Sequence, residues 1–178
     1  TLSLTDSPDP RKVKYFPKFD WPRVSTPSIE FPLNYNNMLE VIKREKITLK
    51  EIKNAIIMNP NDIACIIIEP IQGEGGDNHF RSEFLIALKE ISLENDILLI
   101  YDEVQTGAGI TGKMWAHQHF AKTAQPDIIS FGKKTQCCGI FAGRRLDEVE
   151  NNVFQESSRI NSTWGGNLVD MVRFTIYL

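Results

Sequence analysis

Three short apolar segments of this sequence each end in polar residues that could do chemistry. Residues 63–68 lead to Glu69 and Glu74, residues 97–101 to Asp102, Glu103 and Gln105, and residues 128–131 to Lys133. Short β-branched runs of this kind indicate buried strands. In an open α/β sheet, ligands bind outside the carboxyl ends of the strands. If the three strands are neighbours, an acid and an amine lie over one edge of the sheet.

The elements that must position these residues alternate along the chain. We expect helices over residues 36–46, from Thr48 to Asn59, after Ser82 and over residues 113–124, with Thr48 and Glu51 forming a capping box. The strand before Lys133 is expected to begin at Asp127 and cover residues 127–130, and a further strand is expected in CCGIFAG. The prolines at 17, 22, 27 and 32 exclude long helices from residues 1–35. Strands alternating with helices predict an α/β fold with a mostly parallel sheet flanked by helices.

Composition excludes several classes of function. The chain has 178 residues, 42% hydrophobic and 24% charged, which is ordinary for a globular protein. A net charge of -3 argues against nucleic acid as a partner, and no apolar run is long enough for a transmembrane helix. The three cysteines, Cys65, Cys137 and Cys138, form neither a disulfide framework nor a zinc-site pattern. We therefore expect a cytoplasmic protein without a metal, and both ends of the chain look cut.

An acid and an amine at one sheet edge suit pyridoxal 5'-phosphate. This cofactor needs a lysine amine for its Schiff base and a carboxylate beside its pyridine nitrogen. Asp102, Gln105 and Lys133 could bind the ring nitrogen, the ring hydroxyl and the aldehyde carbon, respectively. The residues alone leave other interpretations open, because Asp102 could cap a helix, and Lys133 and Lys134 could be a solvated pair.

Three motifs together resemble one family. EPIQGEGG (69–76), YDEVQTGAGITG (101–112) and PDIISFGKK (126–134) stand in the order and near the spacing of the class III pyridoxal-phosphate aminotransferases. The resemblance covers most of the chain and implies a fold-type-I large domain and a homodimer. It also implies that residues 1–178 are the central part of that domain, without the upstream phosphate-binding loop and the downstream small domain.

The resemblance also implies roles for individual residues. Asp102 matches the partner of the pyridine nitrogen, Gln105 a side chain beside the ring hydroxyl and the substrate, and Lys133 the Schiff-base lysine, which also moves protons in the reaction. Thr163 resembles the threonine that contacts the cofactor phosphate of the neighbouring subunit. Lys134 is expected to be solvated.

Two departures from the common family pattern resemble the lysine 6-aminotransferase branch. Ile110 stands where many members have arginine, and Lys133 is followed by K-T-Q-C in place of small residues. In that branch, Arg23 would bind the α-carboxylate of L-lysine, a task suited to a guanidinium group. Glu74 would influence which substrate carboxylate is accepted. The implied reaction transfers the ε-amino group of L-lysine to 2-oxoglutarate.

Three alternatives remain open from the sequence. The protein could be another class III ω-aminotransferase, acting on ornithine or 4-aminobutyrate, or a non-catalytic binding or inactive truncated fragment. The third is a dinucleotide-dependent dehydrogenase, because residues 107–112 match the pattern G-x-G-x-x-G. We reject that match, since the five residues DEVQT (102–106) separate Gly107 from the preceding strand, and Asp127 begins a strand instead of ending one. His117 and His119 are expected to be solvated, not metal ligands.

Overall fold

The computed structural model describes residues 3–5, 9–160, 163 and 165–178. These residues form two compact units, Thr1–Ile63 with Ile71–Arg81 and Ala64–Pro70 with Ser82–Leu178. The longer helices are α1 (Tyr35–Met58), α2 (Ser82–Glu94) and α3 (Leu168–Tyr177). The strands are β1 (Cys65–Ile68), β2 (Ile71–Gln72), β3 (Asn78–His79), β4 (Leu98–Asp102), β5 (Ile128–Phe131) and β6 (Gly139–Ala142).

The second unit is built on a four-stranded sheet in the order β1-β4-β5-β6. The first three strands are parallel, and β6 runs antiparallel to β5. The mostly parallel α/β sheet predicted from the alternating pattern is therefore present. Parallel neighbours bring their carboxyl ends to one edge, so β1, β4 and β5 all deliver their following residues there.

Apolar side chains of α2 and the sheet form the core of this unit. Helix α2 contacts β1 and β4 and buries one face, with Phe84, Leu85, Leu88 and Ile91 at the spacing of an amphipathic helix. Strand β4 buries Leu99 and Tyr101, while its alternate residues are half-buried. Burying a large apolar side chain is worth about 1.5–3 kcal/mol, so this layer holds β4 in place.

A buried ion cluster stabilises the opposite, amino-terminal edge of the sheet. Asp127 is 5% exposed, and its carboxylate accepts hydrogen bonds from Lys89 Nζ at 2.6 Å, Arg145 Nη1 at 3.0 Å and the Leu99 amide at 2.9 Å. Buried charges are tolerated when they are paired and hydrogen-bonded. Asp127 therefore ties α2 and the 3₁₀ helix Arg144–Glu148 to the start of β5.

The first unit contradicts one local prediction. The two expected helices on either side of Thr48 form the single 24-residue helix α1, which ends at Met58 next to the predicted stop at Asn59. Thr48 Oγ1 donates to the Arg44 and Ser25 carbonyls, and Glu51 accepts from the Ser25 amide and hydroxyl. The Thr48 and Glu51 side chains therefore bind the extended segment before α1 and cap no helix.

The prediction of one helix over residues 113–124 is also wrong. This stretch contains two short 3₁₀ helices, Ala116–His119 and Lys122–Ala124, separated by a turn. Contacts with Glu103, described below, hold the first of them. Among the described helices, none is both long and apolar enough to cross a membrane.

Candidate active site

Asp102 and Ser130 face each other across the carboxyl edge of the sheet. Their Cα atoms are register partners in the parallel pair β4–β5. Ser130 Oγ donates a hydrogen bond to Asp102 Oδ1 at 3.0 Å, and the Val104 amide donates to the same oxygen, also at 3.0 Å. No described residue donates to Oδ2, and the side chain is only half-buried. Asp102 thus presents one satisfied and one available carboxylate oxygen.

Lys133 and Lys134 follow the neighbouring strand β5 but differ in their surroundings. Lys133 begins a 3₁₀ turn with a left-handed backbone (φ 48°), and its exposed ammonium group has no partner among the described residues. Lys134 is half-buried, and its Nζ donates to the main-chain carbonyl of Gln105. The prediction that Lys134 is solvated is therefore wrong, whereas Lys133 carries the available amine. A left-handed non-glycine residue is strained, and such strain is common at functional sites.

The turn after Asp102 carries Gln105 at a half-buried position. Gly107 closes this turn by donating its amide to the Glu103 carbonyl at 2.8 Å. A Cβ atom at Gly107 would lie 2.6 Å from the Trp115 ring and 2.9 Å from that carbonyl oxygen. Only glycine fits there without displacement, so Gly107 belongs to the scaffold of the site and is not part of a dinucleotide loop.

Glu103 fixes the other side of the same turn. Its side chain is fully buried and accepts hydrogen bonds from the Ala116 amide, from the His117 amide at 2.9 Å and from His117 Nδ1 at 2.8 Å. His119 Nε2 lies 2.9 Å from the Thr111 carbonyl oxygen. The two histidines are therefore hydrogen-bonded to protein groups and not simply solvated. In the described part of the chain, no group of three His, Cys, Asp or Glu side chains could hold a metal ion.

The dinucleotide alternative is not supported by the fold. The acid expected for such a site, Asp127, lies at the amino-terminal end of β5 and is engaged by Lys89 and Arg145. It is thus at the sheet edge opposite Asp102, as its place at the start of a strand predicted.

The two predicted substrate-binding residues belong to the first unit. Both are exposed: Arg23 donates from Nη2 to the Ser3 carbonyl, and Glu74 forms an ion pair with Lys12. Arg23 also lines an open groove of about 630 Å³ with Lys18, Phe19, Asp20, Trp21, Pro22 and Asn59. Phe19 and Trp21 stack in this groove with ring centroids 5.0 Å apart. Its lining combines two cations, the Asp20 carboxylate and aromatic surface.

Thr163, predicted to contact a phosphate in the other subunit, is exposed. It lies among residues that are only partly described, and no contact of its side chain bears on that role.

The contacts of two residues of the site were not predicted from the sequence. Ser130 is a polar residue in the apolar run of β5, which was the available signal, but its contact with Asp102 depends on the β4–β5 register. Lys134 was assigned to solvent, because nothing in the sequence indicates that its ammonium group reaches the Gln105 carbonyl.

The residues at this edge fit pyridoxal 5'-phosphate. Asp102 Oδ2 is available to a protonated ring nitrogen, and Lys133 offers an exposed amine from the adjacent parallel strand. The Gln105 side chain stands in the turn that follows Asp102. A carboxylate and an amine are the two groups this cofactor requires from a protein.

Comparison with known proteins agrees with the sequence motifs. Residues 1–177 match the family Aminotransferase class-III. The chain is 54% identical to an L-lysine-epsilon aminotransferase of Mycobacterium tuberculosis over 173 residues, 97% of this chain and 37% of the relative. It is 43% identical to a 4-aminobutyrate aminotransferase of Emericella nidulans, over 80% of this chain and 28% of the relative.

The fold agrees as well. A solved lysine aminotransferase from M. tuberculosis, in the internal aldimine form, superposes with a TM-score of 0.88 at 52% identity and covers 99% of this chain and 40% of its own. The chain thus spans less than half the length of the relatives it matches. It belongs to the class III aminotransferases, which have the fold-type-I architecture and use pyridoxal 5'-phosphate.

Proposed function

We propose that this chain is the central part of the large domain of an L-lysine 6-aminotransferase. The enzyme would transfer the ε-amino group of L-lysine to 2-oxoglutarate, giving 2-aminoadipate 6-semialdehyde and glutamate. The observation that carries this proposal is the shared sheet edge of Asp102 and Lys133 in a chain 54% identical to an L-lysine-epsilon aminotransferase. The lower identity to a 4-aminobutyrate aminotransferase, 43%, favours lysine over that amino donor.

Each residue of the cofactor site has a role in the proposal. Bound pyridoxal phosphate would supply an electron sink for the carbon that loses its proton. Asp102 would hold the proton on the ring nitrogen through Oδ2, and Gln105 would orient the ring from its hydroxyl side and border the substrate. Lys133 would bind the cofactor covalently and then move a proton at Nζ, for which an exposed amine in a fixed turn is suited.

Substrate recognition is assigned to Arg23 and Glu74. Arg23 would bind the α-carboxylate of L-lysine through a bidentate contact. Arg23 is exposed, so its guanidinium group lies where a substrate carboxylate could reach it. Glu74 would influence which carboxylate is accepted, and its exposed ion pair with Lys12 is of the weak kind that can exchange.

The proposed enzyme is a cytoplasmic homodimer. Class III aminotransferases are typically dimeric. Thr163 would contact the cofactor phosphate of the partner subunit, so that each active site is shared between two chains.

The test uses the full-length parent protein loaded with pyridoxal phosphate. Borohydride reduction followed by peptide mass analysis should place the cofactor on Lys133, and Lys133→Ala should lose the label. Lys134→Ala is the matched control and should keep it, because its ammonium group is bound to Gln105. A label on Lys134, or no label, would contradict the assignment.

The substrate is tested by adding one amino donor without acceptor. L-lysine should discharge the visible absorption band of the bound cofactor faster than ornithine or 4-aminobutyrate. A faster response to either of the other two would keep the class and replace the substrate. No response to any donor would favour the alternative that the protein is catalytically inactive.

A further inference from the structure

We infer that Ser130 is a positioning residue for Asp102, holding its carboxylate so that Oδ2 faces the cofactor ring nitrogen. The inference rests on the proposed function, because it assumes that Asp102 binds that nitrogen. Ser130 itself would not contact the cofactor. It would act by occupying the other carboxylate oxygen.

The first observation is that both donors to Asp102 converge on one oxygen. Ser130 Oγ and the Val104 amide each lie 3.0 Å from Oδ1. A carboxylate can accept about four hydrogen bonds over its two oxygens. With two donors on Oδ1 and none from the described residues on Oδ2, rotation of the carboxylate would break both bonds. The pattern therefore selects which oxygen stays available.

The second observation is that the sheet fixes the position of the serine. Asp102 and Ser130 are register partners, and the Glu103 amide donates to the Ser130 carbonyl at 2.8 Å, directly beyond the Asp102 pair. Backbone hydrogen bonds to β4 thus fix the position of Ser130 and of its hydroxyl. Rigid strands hold functional side chains more accurately than loops do.

The third observation is the position of Ser130 in an otherwise apolar strand. Its neighbours Ile129 and Phe131 are buried, whereas Ser130 is half-buried on the opposite face of the sheet. Its hydroxyl can donate one hydrogen bond, and Asp102 accepts it. Alanine at this position would leave the strand intact and remove the contact.

The consequence concerns ring-nitrogen recognition specifically. Without Ser130, only the Val104 amide would hold Oδ1, and the carboxylate would spend less time with Oδ2 directed outward. In a Ser130 variant, the affinity for a ligand with a ring nitrogen should fall, whereas the affinity for a ligand without that nitrogen should not change. The ratio of the two affinities therefore separates positioning from general loss of structure.

The experiment measures binding of pyridoxamine 5'-phosphate and its 1-deaza analogue to the full-length apoenzyme by equilibrium dialysis. Neither ligand needs a covalent bond to Lys133. Ser130→Ala should lower the preference for the nitrogen-containing ligand by roughly 3- to 10-fold, as expected for weakening one hydrogen bond to a charged group. Ser130→Thr keeps a hydroxyl and should restore most of the preference.

Two further variants complete the design. Asp102→Asn should abolish the preference. Ser92→Ala is the matched control, because Ser92 is a buried serine whose hydroxyl donates to the Lys89 carbonyl within α2. It should leave the preference unchanged.

The inference is overturned if Ser130→Ala weakens binding of both ligands equally. It is also overturned if Ser130→Ala leaves the ratio of the two affinities unchanged while Asp102→Asn abolishes the preference. No effect of Asp102→Asn would instead overturn the proposed cofactor site. If Ser130→Ala does not fold, Ser130→Cys, a weaker donor of similar size, should give an intermediate ratio, and a wild-type ratio would contradict the inference.

Discussion

The ammonium group of Lys134 donates a hydrogen bond to the main-chain carbonyl of Gln105, joining the turn after β4 to the turn after β5. The two turns carry the cofactor-binding candidates on either side of the site. A lysine that follows the Schiff-base candidate directly therefore has a structural contact of its own.

Replacing Lys134 should loosen the Gln105 turn. Lys134→Met removes a charged donor from a half-buried carbonyl, which costs about 1.5–3 kcal/mol when the partner is left unsatisfied. We expect faster amide hydrogen exchange over residues 103–107 of the full-length protein, with the cofactor still on Lys133. Lys134→Arg retains a donor, so the amides of residues 103–107 should exchange nearly as slowly in this variant as in the wild type. Equal exchange rates in the Met and Arg variants would refute the contact.

Asp127 should be important for stability. Asp127→Ala leaves Lys89 and Arg145 without their buried partner, and breaking a buried pair in this way costs about 3–5 kcal/mol. Chemical denaturation of the full-length protein measures the loss.

The matched control is Asp96→Ala, which removes a fully exposed partner of the same arginine. An exposed ion pair contributes about 0–1 kcal/mol. Similar losses in the Asp96 and Asp127 variants would contradict the role given to the buried cluster.

Gly107 should tolerate no side chain. In Gly107→Ala the new methyl group would be 2.6 Å from the Trp115 ring, and overpacking of this kind costs about 1–3 kcal/mol. We expect a lower thermal unfolding midpoint. Gly75→Ala serves as the control, because a Cβ there makes only ordinary contacts at 3.4 Å with Gln72. A wild-type midpoint for Gly107→Ala would show that the turn can open.

Tyr101 should make the fold sensitive to alkali. Burial, and then the nearby charge of Glu103, raise the pKa of its hydroxyl, which donates to the Ala124 carbonyl at 2.7 Å. In the unfolded chain tyrosine ionises near pH 10, so the native state, which binds the proton more tightly, loses stability as pH rises above that value, by up to about 1.4 kcal/mol per pH unit. Below about pH 10 this contribution is fully present.

The measurement is the free energy of unfolding of wild type and Tyr101→Phe between pH 8 and pH 11. The wild type should be the more stable protein at pH 8 and should lose that advantage toward pH 11. Tyr15→Phe, at a position 83% exposed, should follow the wild type throughout. Parallel curves for Tyr101→Phe and wild type would contradict the assigned cause.

Local patterns predicted much of the fold. The apolar runs predicted β1, β4, β5 and β6 within a few residues, and a helix was expected after Ser82, where α2 begins. Predictions failed where side chains had non-local partners. Thr48 and Glu51 resemble a cap in the sequence, yet both bind Ser25, more than 20 residues away: the Ser25 carbonyl accepts from Thr48, and the Ser25 amide donates to Glu51.

The sequence by itself predicted that Asp102 and Lys133 would share an edge if their strands were neighbours, because parallel strands end on the same side of a sheet. It also determined the family, through three motifs in one order. The tertiary structure alone decided that β4 and β5 are adjacent. It also decided that Ser130 binds Oδ1 of Asp102, and that Lys133, not Lys134, keeps its amine available. The physical reason is that hydrogen bonds between segments depend on register and distance in space, which no spacing along the chain encodes.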